Sequence, residues 1–540
     1  MVKKASATIA DPRDTKAKDT STSSQNSYDV IKYESRVFHE SSPQHLRMMA
    51  RLFGMNAPKA SKARVLELGC GVGGNIMPLA VLFPEAKFVG VDLSEVQITE
   101  GKKDIDALGL KNIELTHMSI SDIDIDFGEF DYIICHGVFS WVPKQVQWDI
   151  IRVCKENLSK HGVAYVSYNT LPGWGVVSTI RDMMVYHTKD FSDPKEKVSQ
   201  AITMLKFALE NQTGETNHWK VALEKELKIL TNTTADYVFH EHLEENNNPM
   251  YFYQFIEMAN KAGLKYLGDS SLASMYVGNM TAKAADTLKG LTNQVHQEQY
   301  MDFVRNRRFR STLLCHDSNN LNFNLSAEKA FEFYLSLNSS VKPDFDPTLE
   351  DWTKEGPRSF NNGDMVANDR IIALAMIVLM EKNGHRISAN ELVTETTKRL
   401  GWNNELAVHA MLGNCVMELA MRGGIFLYDG PEHCVRTISE KPEVWRYAWH
   451  RAEAGNILVN VDLKSARVDF FYAEFAKLLD GNRTKNEAID ELKKNLKKLK
   501  VAVKANDGSK ITDEATIDGE IEAFALKALD YFLAESFLVA

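Results

Sequence analysis

The stretch that decides the fold is Val65-Leu-Glu-Leu-Gly-Cys-Gly-Val-Gly-Gly-Asn75. Its first residues are apolar and branched, as in a buried strand, and its glycines allow a tight turn close to a ligand before a helix begins. Similar short apolar runs, each bounded by Gly, Asp or Asn and separated by helical patterns, follow at Phe88–Val91, Ile113–Leu115, Tyr132–Cys135 and Val163–Val166. This alternation predicts an α/β fold with a parallel sheet wrapped by crossover helices.

The residues around the glycine turn indicate which ligand it binds. Gly69, Gly71 and Gly74 satisfy the pattern G-x-G-x-x-G, which many nucleotide-binding proteins share and which does not by itself identify the ligand. Glu67, two residues before the first glycine, would repel a diphosphate but suits a cationic amine. Asp92 ends the second apolar run, where a carboxylate can accept both ribose hydroxyls. We therefore predict S-adenosylmethionine as the cofactor.

Composition excludes several classes of protein. The chain has 540 residues, 44% hydrophobic and 25% charged, which is typical of an ordinary globular protein of three or four domains. A net charge of −10 gives no basic field to gather nucleic acid. The six cysteines are far apart and form no C-x-x-C pair, so we predict neither a disulfide framework nor a metal site. The polar N-terminus does not resemble a secretory signal, and we expect a cytoplasmic protein without membrane insertion.

Changes in pattern along the chain suggest five segments. We expect a disordered tail at 1–27, a catalytic core at 28–275, a middle domain at 276–362, and two winged-helix-like α+β modules at 363–445 and 446–540. The core contains a helical insertion at about 182–233, after which we predict that strands at 236–240 and 264–267 return to the sheet. Capping boxes that begin at Ser388 and Thr484 mark helices in the two modules. A hairpin is predicted at Arg422–Tyr428.

Longer motifs resemble a known enzyme family. They are Leu66–Gly73 with Val91-Asp92, Tyr132-Ile-Ile-Cys-His-Gly-Val-Phe-Ser-Trp-Val-Pro143, Tyr165-Val-Ser-Tyr-Asn-Thr-Leu-Pro-Gly-Trp174, Tyr237-Val-Phe-His-Glu-His-Leu243 and Arg305-Asn-Arg-Arg-Phe-Arg-Ser-Thr-Leu-Leu-Cys315. Together they resemble the class I S-adenosylmethionine-dependent methyltransferases that carry a regulatory domain. That group includes the rickettsial enzymes that methylate lysines of an outer-membrane protein. The resemblance runs from about Tyr28 to the end of the chain and implies a seven-stranded Rossmann-like core.

The resemblance implies a set of cofactor-binding residues. Glu67, Gly69, Gly71 and Asn75 would hold the methionine portion, Asp92 the ribose, and the segment with Ser119 the edge of the adenine. His136 would lie beside the sulfonium, and Tyr33 would close over the cofactor. The full set is Tyr33, Glu67, Gly69, Cys70, Gly71, Asn75, Asp92, Leu93, Ser119, Ile120 and His136.

Candidate catalytic residues follow the fifth strand, on the edge where open sheets bind ligands. We expect Tyr168 to relay the acceptor proton and Asn169 to hold the acceptor in line, with Trp174 or Trp141 as a wall of the channel. His240 is a candidate for the acceptor pocket. If His240-Glu241-His242 forms a strand, both histidines lie on one face, where they could bind a metal ion. We do not predict a metal site there, because methyl transfer needs no metal. The catalytic candidates are Tyr168, Asn169, His136, Trp174 and His240.

The preferred interpretation is methylation of lysine side chains on a protein, because more than half the chain lies outside the catalytic sheet. By resemblance the substrate would be a surface or outer-membrane protein, with S-adenosyl-L-homocysteine as the second product. Two alternatives stay open: a methyltransferase that acts on a small molecule, and a cofactor-sensing regulator whose winged helices bind DNA. The predicted recognition helix Ser388–Leu400 carries balanced charges, which does not favour phosphate contacts.

Overall fold

A computed structural model describes residues 36–214, 217–338, 341–361, 363, 365–499, 501 and 513–540. The predicted tail at 1–27 and the cofactor candidate Tyr33 lie outside these residues. Within them, no helix has both the length and the apolar content that crossing a bilayer requires.

A seven-stranded sheet forms the centre of the N-terminal half. Its strands are β1 (Arg64–Leu68), β2 (Lys87–Asp92), β3 (Ile113–His117), β4 (Phe130–Cys135), β5 (Leu158–Asn169), β6 (Leu264–Asp269) and β7 (Phe309–His316). The order across the sheet is β3-β2-β1-β4-β5-β7-β6, and only β7 runs antiparallel to its neighbours. The predicted α/β core with seven strands is therefore confirmed.

Twelve helices among the described residues cover the faces of this sheet or form a bundle beside it. They are α1 (Pro43–Leu52), α2 (Met77–Leu82), α3 (Glu95–Leu108), α4 (Lys144–Glu156), α5 (Gly173–Thr188), α6 (Pro194–Glu210), α7 (His218–Thr231), α8 (Ala235–His242), α9 (Phe252–Lys261), α10 (Leu272–Met275), α11 (Ala282–Leu288) and α12 (Gln294–Arg305). Alternate residues of each strand enter opposite cores, because side chains of a strand point to opposite faces. Along β5, Tyr165 belongs to one core, whereas Val166 and Tyr168 belong to the other.

Helices α5–α8 form a separate bundle beside the sheet, with its own small apolar core. The strand predicted at 236–240 is wrong, because these residues lie in α8. Val238 and His242 are both buried and lie four positions apart, which is the spacing of one helical face. Packing of this face against α6 and α7 therefore overrides the strand preference of the branched and aromatic residues.

The boundary predicted at 275 between the core and a middle domain is also wrong. Strand β7 lies inside the supposed middle domain, yet it is inserted between β5 and β6. Arg310, on this strand, is 1% exposed and pairs with Asp302 and Glu298 of α12. A fully buried arginine needs such carboxylate partners, so α12 is fixed to the sheet together with β7.

The next unit is a winged-helix-like module that begins earlier than predicted. It contains β8 (Tyr334–Leu337), β9 (Arg358–Phe360), β10 (Met365–Ala367), α13 (Arg370–Glu381), β11 (Ile387–Ser388), α14 (Ala389–Leu400), α15 (Glu405–Arg422) and β12 (Ile425–Tyr428). The capping box at Ser388 is present. The hairpin predicted at Arg422–Tyr428 is wrong, because β12 pairs with the distant β8.

The C-terminal module contains α16 (Arg446–Ala454), β13 (Ile457–Val459), β14 (Ser465–Arg467), α17 (Phe470–Ala476), α18 (Lys485–Lys498) and α19 (Glu514–Ala534). The capping box at Thr484 opens α18 as predicted. Docking of the preceding module on the core involves Asp429, which follows β12. Its carboxylate pairs with Arg47 and Arg51 on α1.

Candidate functional site

The glycine turn lies at the carboxyl end of β1. The backbone N–H groups of Gly69 and Cys70 both donate to the carbonyl of Val91, at 2.9 and 3.1 Å. Gly69 has a φ of +72°, and a Cβ there would come within 2.4 Å of Val138 Cγ2. Only glycine therefore fits this turn beside Val138. The side chain of Cys70 is buried in the core, so this residue contributes its backbone to the turn.

Glu67 is a buried carboxylate beneath the turn. Its Oε1 accepts a hydrogen bond from Asn75 Nδ2 at 2.7 Å, whereas Oε2 is buried and has no hydrogen-bond partner. Burial raises the pKa of Glu67 to about 8, although the bond from Asn75 opposes the shift. A buried acid of this kind is best satisfied by a cationic group that brings its own donors.

The tip of β2 forms the next edge of the site. The carboxylate of Asp92 accepts from the backbone N–H groups of Gly71 and Ser94, both at 2.8 Å. Beside it, the side chain of Leu93 is 62% exposed, which is unusual for a large apolar residue. Ser119 and Ile120, after β3, are half-buried, and the Ser119 hydroxyl accepts from the backbone of Ser121.

His136 follows β4 and lies among aromatic and hydroxyl groups. Its Nδ1 is 2.9 Å from the Tyr165 hydroxyl, which in turn is 2.9 Å from Ser311 Oγ. Phe38 packs on the imidazole with ring centroids 3.7 Å apart, and Phe309 lies 6.1 Å away at an edge-on angle. Burial lowers the pKa of His136 to about 4, so the ring is neutral at physiological pH.

The segment before α1 closes over these residues. The backbone N–H of Phe38 donates to Asn75 Oδ1 at 2.9 Å, and Ser41 also bonds to the Asn75 amide. Asn75 therefore joins this segment to Glu67 under the glycine turn. Asn75 is predicted from the sequence, whereas Phe38 is not, because a single aromatic residue in an unpatterned segment carries no signal that could identify it.

The structure does not bring Tyr168 together with these groups. Tyr168 is fully buried on the opposite face of β5, and its hydroxyl is bonded to Thr312 at 3.0 Å. Its ring stacks on Phe255. Tyr165 lies on the side of His136 instead, three positions earlier on the same strand. Side chains alternate along a strand, so Tyr165 and Tyr168 point to opposite faces of β5. The sequence alone does not indicate which of these faces meets His136.

Three catalytic candidates remain, at the end of β5, at the start of α5 and in α8. Asn169 is buried at the end of β5, where its Nδ2 has no hydrogen-bond partner. Trp174 lies edge-on to Trp141, with ring centroids 6.2 Å apart, and its indole N–H donates to Asn247. His240 lies in α8 of the helical bundle and is 2.9 Å from Glu244.

The pair His240 and His242 is not arranged as the strand interpretation required. In a helix, residues two positions apart do not share a face. Each histidine has its own carboxylate partner, and that of His242 is Glu226, at 3.0 Å. Glu226 also accepts from Arg308, immediately before β7, so this group joins the bundle to the sheet.

Two acidic groups, Glu40 and Asp269, lie near the buried Tyr165 hydroxyl. Glu40, in the segment before α1, is close to Asp269 at the end of β6. Desolvation and the Asp269 charge raise the pKa of Glu40, and the charge of Arg307 opposes them. Arg307 donates to Asp269 at 2.7 Å. An incoming cation would therefore meet acidic groups and a neutral imidazole here.

Comparison with known proteins identifies three regions of the chain. Family models match residues 65–162 as a methyltransferase domain, residues 234–316 as a predicted methyltransferase regulatory domain, and residues 440–537 as a PKMT C-terminal winged helix domain. The protein RP789 of Rickettsia prowazekii is 37% identical over 521 residues, which covers 95% of this chain and 94% of RP789. RP028 of the same organism is 42% identical over 241 residues, 45% of this chain and 96% of RP028.

A solved structure matches nearly the whole chain. PKMT2 from Rickettsia typhi, in complex with AdoHcy, is 33% identical and has a TM-score of 0.86, covering 94% of this chain and 100% of that protein. The match therefore includes the regions after the sheet as well as the sheet itself.

Proposed function

The chain belongs to the S-adenosylmethionine-dependent methyltransferases that carry the methyltransferase regulatory domain and the PKMT winged-helix domain, and we propose that its acceptor is a lysine side chain of a protein. It is an enzyme that uses S-adenosylmethionine and releases S-adenosylhomocysteine. The observation that carries the lysine assignment is the match to PKMT2 over 94% of the chain, winged-helix region included.

The residues at the glycine turn fit this cofactor. The unpartnered Oε2 of Glu67 suits the cationic methionine amine. We assign the ribose hydroxyls to Asp92 and an apolar contact on the nucleoside to the exposed Leu93. Ser119 and Ile120 would flank the adenine, and Asn75 would hold Glu67 in place. When bound, the cofactor supplies an activated methyl group on a sulfonium.

The acceptor amine must arrive neutral and aligned with the methyl group. We assign its site to the space beside His136, between Phe38 and Phe309, where aromatic walls and partial desolvation favour loss of the ammonium proton. Glu40 would attract the lysine before that loss. His136 is neutral, and with Nδ1–H donating to Tyr165 its Nε2 would accept a hydrogen bond from the amine and orient it.

These assignments replace Tyr168 by Tyr165 as the hydroxyl beside the acceptor. Asn169 lies at the end of the same strand, and we keep its assignment as the residue that holds the acceptor in line. Its side-chain Nδ2 has no hydrogen-bond partner and could donate to the acceptor. Trp174 and His240 remain candidates for the outer channel and contribute no group to the cluster around His136. A surface or outer-membrane protein as the substrate follows only from the family resemblance and belongs to this proposal.

The proposal is tested by methyl transfer from tritiated S-adenosylmethionine into a native bacterial lysate and a cell-surface fraction. We expect label in discrete protein bands, recovered as methyl-lysine on amino-acid analysis, and none with an Asp92→Ala variant that folds normally. Label confined to small molecules would establish the metabolite alternative. Label in nucleic acid would contradict both.

A further inference from the structure

A cluster of three metal-ligating side chains lies outside the candidate cofactor site. His385 is in the turn between α13 and β11, and Glu432 and Cys434 are in the loop after β12. Among the described residues this is the one group of three or more His, Cys, Asp or Glu whose ligand atoms all lie within 4.8 Å of one another. We propose that His385, Glu432 and Cys434 form a binding site for one divalent transition-metal ion, with Zn²⁺ the ion that suits them best.

The spacing of the ligand atoms is close to what a metal requires. His385 Nδ1 is 3.0 Å from Glu432 Oε2, and all three ligand atoms lie within 4.8 Å of one another. With bonds of about 2.0–2.3 Å, a tetrahedral zinc site separates its ligand atoms by about 3.3–3.8 Å. Small side-chain rotations therefore convert the present arrangement into a coordination shell, with a fourth position left for water.

The donor set also matches the ion. Imidazole, carboxylate and thiolate are all zinc ligands, and together the last two neutralise the charge of a divalent ion. The ion thus binds the neutral imidazole and the thiolate, and it takes the place of the hydrogen bond that now joins His385 to Glu432.

Groups outside the cluster hold Glu432 in position for this role. Its Oε1 accepts from Arg436, while Oε2 faces His385 and the backbone N–H of Arg386. Such outer contacts orient a ligand without occupying the metal, as in many zinc sites. The ligand loop begins three residues after Asp429, whose carboxylate pairs with Arg47 and Arg51 of the core. A bound ion would therefore stiffen the loop that docks the winged-helix module on the core.

The test uses the full-length protein, stripped of metal with a chelator and titrated with Co²⁺, whose thiolate complexes absorb in the near ultraviolet. We expect one equivalent of Co²⁺ to bind with a thiolate band, and equimolar Zn²⁺ to remove that band. Zn²⁺ should also raise the melting temperature of the stripped protein, because an ion that binds only the folded state stabilises it by mass action.

Matched variants make the assignment specific. Cys434→Ser should abolish the thiolate band, and His385→Gln should weaken Co²⁺ binding at least tenfold. Cys415→Ser is the control: Cys415 is also partly exposed, but burial raises its pKa to about 12, and its loss should leave the band unchanged. A band that survives in Cys434→Ser, cobalt spectra without a thiolate band, or no binding at micromolar Co²⁺ would each overturn the proposal. If Cys434→Ser fails to fold, His385→Gln decides the question.

Discussion

Replacing Glu67 with glutamine should stabilise the cofactor-free enzyme at alkaline pH while weakening its hold on the cofactor. Glu67 is 4% exposed, and burial raises its pKa from 4.5 to about 8. A carboxyl whose folded pKa is above its unfolded one binds more protons in the folded state between those values. Its contribution to stability is therefore complete below pH 4.5 and is lost as the pH rises through about 8.

The interval from 4.5 to about 8 corresponds to roughly 5 kcal/mol of unfolding free energy at pH 9. Glutamine has the same shape, can still accept the hydrogen bond from Asn75, and does not ionise. The stability difference between variant and wild type should therefore grow from near zero at pH 5 to several kcal/mol at pH 9. For a domain the size of the methyltransferase core, this corresponds to on the order of 10 °C in melting temperature.

Thermal unfolding of both proteins without cofactor, at pH 5, 7 and 9, measures this difference. Other titrating groups are common to both proteins and cancel. Glu257→Gln, at an exposed position of α9, is the control and should show no pH-dependent difference. Calorimetric titration at pH 8.5 should give at least tenfold weaker binding of S-adenosylhomocysteine to Glu67→Gln. A melting-temperature difference that does not change with pH, or a variant less stable than wild type at pH 9, would refute the reasoning.

Three further predictions follow from the site and the docking contacts. Tyr165→Phe removes the hydroxyl between His136 and Ser311 and should lower kcat about tenfold or more, with unchanged cofactor affinity. Tyr168→Phe is the control and should have little effect. Equal losses of kcat in the two variants, measured by steady-state kinetics, would contradict the assignment. Glu40→Gln should raise KM for a lysine peptide several-fold without changing cofactor binding, and an unchanged KM would clear Glu40 of that role. Asp429→Asn removes the carboxylate that pairs with Arg47 and Arg51, although Arg51 keeps its ion pair with Glu332. The substitution should weaken docking of the winged-helix module by up to about 3 kcal/mol, seen as faster limited proteolysis between the two units. An unchanged digestion rate would show that other contacts hold the module.

Local pattern was sufficient for the part of the fold built from neighbouring residues. The glycine turn after Val65–Leu68, the acid at Asp92 and the two capping boxes depend on contacts within a few positions, and each lies where the sequence analysis placed it. These features could be predicted because their physical causes, such as the positive φ at Gly69, are local.

Features that depend on distant partners could not be predicted in the same way. Strand β7 was assigned to another domain because its neighbours β5 and β6 lie far away in the chain. Residues 236–240 have strand-forming side chains, and only the neighbouring helices make them helical. His385 and Glu432 are 47 positions apart, so no spacing rule for metal ligands detects them. The choice between Tyr165 and Tyr168 depended on which face of β5 meets His136.

The position of β7 also governs how the chain can be synthesised and divided. Tyr168 on β5 and its partner Thr312 on β7 are 144 positions apart, so at ribosomal speed β5 waits roughly 7–30 s for its neighbour to emerge. During that time the edge of β5 offers unpaired backbone groups to other nascent chains. A gene fragment that ends near residue 275 would leave this edge permanently open and strand β6 without its partner. Expression of the catalytic half alone should therefore extend through His316, the last residue of β7.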